Sequence, residues 1–163
     1  MLATLHRRLL DFCGLLAGIG FALIAVTTAY DVFVRNVFGE SVRGLIDVIE
    51  YALFVTTFLA APWVLRKNAH VQVDFAVSAL PPGAQRHAGR LADAIGLAVS
   101  LVLLVWSTRV TIAAWQQGSM VLKAVVFPEW WVFVVMPFAS LLLAVEFVLR
   151  LRAPGRSRGT LEL

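Results

Sequence analysis

Long apolar stretches alternate with short polar ones along the whole chain. The first runs from Phe12 to Tyr30 without a charged residue. It is longer than the roughly 7–15 residues of a signal-peptide core, so it reads as a retained span. Asp31 and Arg35 stand one helical turn apart beyond it and could pair, which carries the predicted helix on to Phe38. The second stretch, Val48 to Leu65, is interrupted only by Glu50, and Pro62 near its end could kink it. The third stretch contains Arg109; the fourth contains Pro137 and, near its end, Glu146. A membrane-crossing helix needs about 20 mostly apolar residues. The pattern therefore predicts transmembrane helices over 12–38, 46–65, 91–115 and 127–149.

The connections are short and polar. Pro81-Pro82-Gly83 is a firm breaker in the longest of them. Between His70 and Leu80 the apolar positions Val71, Val73, Phe75 and Val77 predict a short amphipathic segment at the membrane interface. Residues 153–163 form a polar tail. The expectation is an all-α, integral membrane protein in which residues 1–163 form a single membrane domain.

Composition strengthens this reading. The 163 residues are 60% hydrophobic and 15% charged, and the mean hydropathy is +0.84. So little polar surface could not cover a soluble domain. The net charge of +4 does not point to nucleic acid, because the basic residues cluster between apolar runs. With the N-terminus in the cytoplasm, Arg7, Arg8, Arg66, Lys67, Arg86, Arg90, Arg150, Arg152, Arg156 and Arg158 all lie inside. Only Arg35, Arg43 and Lys123 lie outside, and Arg109 falls within a span. That asymmetry predicts that both termini are cytoplasmic. Membrane lipids are thus expected partners, and nucleic acid is not.

Ionisable residues inside membrane spans are costly and rare. Asp31, Glu50 and Arg109 are expected at similar depth in the outer third of the bilayer, where an ion-pair network would satisfy them. Gly14 and Gly18 form a GxxxG motif that would let another helix approach closely; Ala60 and Ala61 offer a similar surface on the second span. Cys13 has no partner for a disulfide and no metal-ligand spacing around it, so it reads as a small buried hydrophobe. His6, His70 and His87 all lie outside the apolar runs, which leaves a haem anchor without axial ligands. No Ser/His/Asp arrangement, phosphate loop or catalytic carboxylate pair is present, so neither an enzyme nor a cofactor-binding protein is expected.

Several segments together resemble the small membrane subunit of the tripartite ATP-independent periplasmic (TRAP) transporters. The first is Asp31-Val-Phe-Val-Arg35-Asn-Val-Phe38-Gly39. The second opens at Glu50-Tyr51 and runs into Arg66-Lys67-Asn-Ala-His70-Val71-Gln-Val73-Asp74, its most specific part. The third is Phe127-Pro128-Glu-Trp130, followed by Met136-Pro137. The resemblance covers nearly the whole chain, and the order and spacing of the segments carry it. Asn36 and Thr56 stand where aromatic residues are usual, and Ala60 and Ala139 where glycine is usual. The resemblance implies a scaffold subunit in the bacterial inner membrane that braces a large permease subunit. That partner would carry the substrate and sodium sites, and a periplasmic binding protein would deliver an organic acid. The rival reading is a self-sufficient four-helix exporter driven by protons, which needs a titrating carboxylate such as Glu50 in an aqueous cavity. On this reading a nearby Arg109 would hold Glu50 ionised.

Overall fold

The computed structural model describes residues 2–39, 44–67, 82–122 and 126–152. Helix α1 spans Leu2–Phe38, α2 Leu45–Arg66 and α3 Pro82–Gln117. Two short strands follow, β1 (Met120–Leu122) and β2 (Val126–Pro128), then α4 (Trp130–Phe133) and α5 (Val135–Arg152). Four helical stretches are long and apolar enough to cross a membrane: His6–Phe38, Leu45–Arg66, His87–Gln117 and Trp130–Arg152, the last comprising α4 and α5. The expected interfacial segment at 70–80 and the tail at 153–163 lie outside the described residues.

Local chemistry sets the helix ends. Gly39 has φ 77°, and its N–H donates to the Arg35 carbonyl at 3.0 Å. This left-handed cap closes α1 at low cost because glycine has no Cβ. At the end of α3, Gly118 (φ 61°) donates to Trp115 and Ser119 donates to Ala114, the paired bonds of a Schellman motif. The pair Pro81-Pro82 is not merely a breaker: Pro82 is the first residue of α3. Proline suits that position, where its fixed φ is already helical and a missing N–H costs nothing.

The fourth span begins differently from its prediction. Phe127 and Pro128 belong to β2, which pairs antiparallel with β1 in the register Val121↔Phe127. This hairpin is an addition to the all-helical plan. The helix proper starts at Trp130 and is interrupted at Val134. Pro137 explains the interruption, since it cannot donate to the carbonyl four residues back and its ring clashes there. That carbonyl belongs to Phe133, and the Thr111 hydroxyl of α3 lies 3.2 Å from it. The same hydroxyl is 2.8 Å from the Ser107 carbonyl of its own helix, so one proton is shared between two acceptors.

Packing is strongest between α1 and α2 and between α3 and α5, with α2 against α5 joining the two pairs. The contacts use small residues. A Cβ on Gly14 would strike the Trp63 indole, one on Gly20 the Thr56 methyl, and one on Gly96 the Phe147 ring. Cys13 is buried with Leu10 and Leu142, as a small hydrophobe should be. The remaining faces expose many large apolar side chains, among them Phe12, Leu15, Leu23 and Val26 on α1. Such surface is stable only against lipid or another protein.

Candidate functional site

Three regions of the bundle are candidates for a site. The first lies where the start of α1 meets the ends of α2 and α5. His6 Nε2 lies 3.2 Å from Glu146 Oε2, and Arg150 Nε is 3.6 Å from the other oxygen of the same carboxylate. Arg150 also donates to the Leu65 carbonyl at the end of α2. Arg66 donates to the Arg7 carbonyl at 2.9 Å and to Asp11 Oδ1 at 3.0 Å. Arg150 thus meets a carbonyl at a helix C-terminus, where the helix dipole favours a cation, while Arg66 ties the end of α2 to the early turns of α1. Three helices are tied together at one end. Sequence reasoning missed this clamp. The Glu146–Arg150 spacing was its one local signal; His6 comes into reach only through the fold.

At the opposite end α2 faces the hairpin. Tyr51 and Phe127 meet edge to face with ring centroids 5.2 Å apart. They line an apolar groove of about 340 Å³ together with Asp47, Val48, Ala52 and Val55.

The third region was expected to be an ion-pair network of Asp31, Glu50 and Arg109, and here the structure corrects the expectation. Asp31 is buried on the inner side of α1, while Glu50 is exposed on α2. Both acids engage other groups. Arg109 is exposed on α3, with its guanidinium carbon 5.5 Å from the centre of the Trp106 ring. Among the described residues no ion pair joins it to either acid. Equal depth was the basis for the expectation, but α3 packs on α5 while α1 packs on α2, so equal depth does not bring the residues together. The suggested Asp31–Arg35 pair is also not formed, for Arg35 points outward. Arg109 therefore does not stand beside Glu50, and the objection to an exporter that rested on their contact falls. A different one replaces it: Glu50 lies on an exposed helix face and not in an enclosed cavity.

The remaining predicted residues fall as follows. Gly14 is consumed inside the chain by Trp63, whereas Gly18 faces open space. The motif is thus split, and only its second glycine is free for another protein. Ala60 and Ala61 are half-buried. Pro128 closes the hairpin opposite Met120, Pro137 breaks the last span, and Arg66 belongs to the clamp. His70 and Asp74 lie outside the described residues. Of the departures from the usual pattern, Thr56 covers Gly20 with its methyl group and Ala139 is fully buried. Among the described residues no group of three His, Cys, Asp or Glu side chains could hold a metal.

Long apolar helices with large exposed apolar faces define a multi-pass membrane protein. The family model of the tripartite ATP-independent periplasmic transporters, DctQ component, matches residues 24–154. The chain belongs to that family and is the small membrane component of a TRAP transporter. No curated protein matches it.

Proposed function

We propose that this chain is the scaffold of a sodium-driven importer. It braces a large permease subunit, which carries the substrate and sodium sites, in the bacterial inner membrane. A periplasmic binding protein delivers the cargo, an organic acid. The chain has no catalytic role and holds no cofactor of its own. The family match over residues 24–154 carries this reading. The structure is compatible with it: among the described residues Arg66, Glu146 and Arg150 tie helices together, the buried hydroxyls of Thr56, Ser100 and Ser107 bond within their own helices, and Glu50 and Arg109 lie on exposed faces. The basic residues of the clamp mark the cytoplasmic end, and the hairpin marks the periplasmic end.

Reconstitution tests the proposal. Liposomes holding this chain alone should show no solute flux under a sodium or proton gradient. Liposomes holding both membrane subunits should take up substrate when the binding protein and a sodium gradient are supplied. Gradient-driven flux through the small chain alone would favour the exporter instead.

A further inference from the structure

Arg109, in the spanning part of α3, points away from its own bundle. The buried side of α3 carries Ser100, Ser107 and Ala114, spaced so that they form one line against α5. From Ser100 to Arg109 is about two and a half turns, which puts Arg109 on the opposite side. Leu91, Ile95, Val99, Val102 and Trp106 share that outward side, and each is more than half exposed. The spacing of four, four, three, four and three residues makes a continuous stripe of the kind that packs against a second helix.

Arg109 lies about 9 Å below the level of Trp115, at 1.5 Å per residue. An arginine at that depth often reaches up to the lipid headgroups. This one does not. Helical side chains lean toward the N-terminus of their helix, and α3 runs from the clamp end toward the hairpin end. The guanidinium accordingly lies back over Trp106, toward the middle of the membrane. A lipid phosphate at the hairpin end is on the wrong side of it. An anion that meets it must come from within the bilayer, and the chemistry that supplies one there is a carboxylate on a neighbouring protein helix. A carboxylate at that depth would itself be costly without a cation, so each group satisfies the other.

We propose that the outward stripe of α3, with Arg109 in it, docks a membrane-spanning helix of the large transporter subunit through a carboxylate on that helix. The proposal rests on the scaffold function proposed above and names the face that performs it. The indole of Trp106 serves as a flat apolar contact and holds the guanidinium in place by a cation–π interaction.

The test uses the two membrane subunits expressed together. A photoreactive residue at Val102 should cross-link to the large subunit. Arg109→Leu should reduce the large subunit retained on the tagged small one by on the order of tenfold, the effect of losing one charge-assisted bond. Arg109→Lys, which keeps the charge without the planar fork, should retain more than the leucine variant. The thermal stability of the isolated Arg109→Leu chain should be unchanged, since among the described residues the guanidinium joins no ion pair and Trp106, the ring beneath it, is itself exposed. Retention of the leucine variant at the wild-type level is the result for a lipid-facing position and overturns the proposal. Cross-links only to lipid or to a second copy of this chain do so too, as does a destabilised Arg109→Leu chain. In those cases the wild-type chain still retains the large subunit and the scaffold function stands. If the wild-type chain retains no large subunit, the scaffold function itself fails and this proposal falls with it.

Discussion

Gly14 and Gly18 are four positions apart in one motif, yet they meet different surroundings. A methyl group at Gly14 would enter the space of the Trp63 indole, whereas at Gly18 it would meet nothing within 4 Å. Overpacking a close contact typically costs about 1–3 kcal/mol. Gly14→Ala should therefore lower the melting temperature of the purified chain in detergent, and Gly18→Ala should leave it unchanged. Equal losses would show that the two glycines act through the helix backbone and not through contact. The same contrast applies to the charged residues. Asp31, Glu50 and Arg109 look equivalent along the sequence but occupy an interior face, an exposed face of α2 and the far side of α3.

Among the elements, the last span shows how a helix defect becomes a join. Pro137 releases the Phe133 carbonyl, and Thr111 of the neighbouring helix reaches it. In membrane proteins such a bond contributes about 0.6 kcal/mol on average and up to about 1.7 kcal/mol. Thr111→Val should destabilise the wild-type chain by an amount in that range. In a Pro137→Ala background the helix can satisfy its own carbonyl, so the same change should cost less. Thermal unfolding of the two single variants and the double variant measures the coupling, and strictly additive losses would show that the carbonyl does not depend on Thr111. The four spanning helices were legible from apolar run length, because lipid imposes that length whatever the sequence details. The hairpin was not legible: Met120 to Leu122 and Val126 to Pro128 are only three residues each, too short for a periodic signal, and they lie against a helical run. Pro137 was visible as a break, but Thr111 as its remedy was not, since only the pairing of α3 with α5 brings them together.

At the scale of the whole molecule, the polar groups sort to the two ends. Arg7, Asp11, Arg66, Glu146 and Arg150 gather at one, and the hairpin closes the other. The basic bias along the sequence predicts that the clamp end is cytoplasmic. A Cys13→Ser background removes the chain's one thiol. In it, Ser119→Cys should react with a membrane-impermeant thiol reagent added to intact cells opened only at the outer membrane. Arg152→Cys should react only after the inner membrane is permeabilised. The reverse pattern would invert the topology and place the clamp in the periplasm. The ion-pair expectation failed at this scale as well. Depth along the membrane normal is readable from a sequence, but the lateral order of the helices depends on side-chain fit, such as Gly96 against Phe147.

The clamp also orders events in time. A chain is made from its N-terminus, so α1 and α2 can pair as soon as both have been made. His6 is then present long before Glu146, which follows it by 140 positions. During that interval the start of α1 lacks its acid and the end of α2 lacks Arg150. Helix α3 enters next, but its main packing partner, α5, has not yet been synthesised. The fourth span supplies the remaining partners: its α4 brings the Phe133 carbonyl to Thr111, and its α5 brings the Phe147 ring to Gly96 and the Glu146 carboxylate to His6. Assembly of the bundle thus waits on the synthesis of α5. A nascent chain that stops before Trp130 presents the membrane with a paired α1 and α2 and a third helix that still lacks its main packing partner.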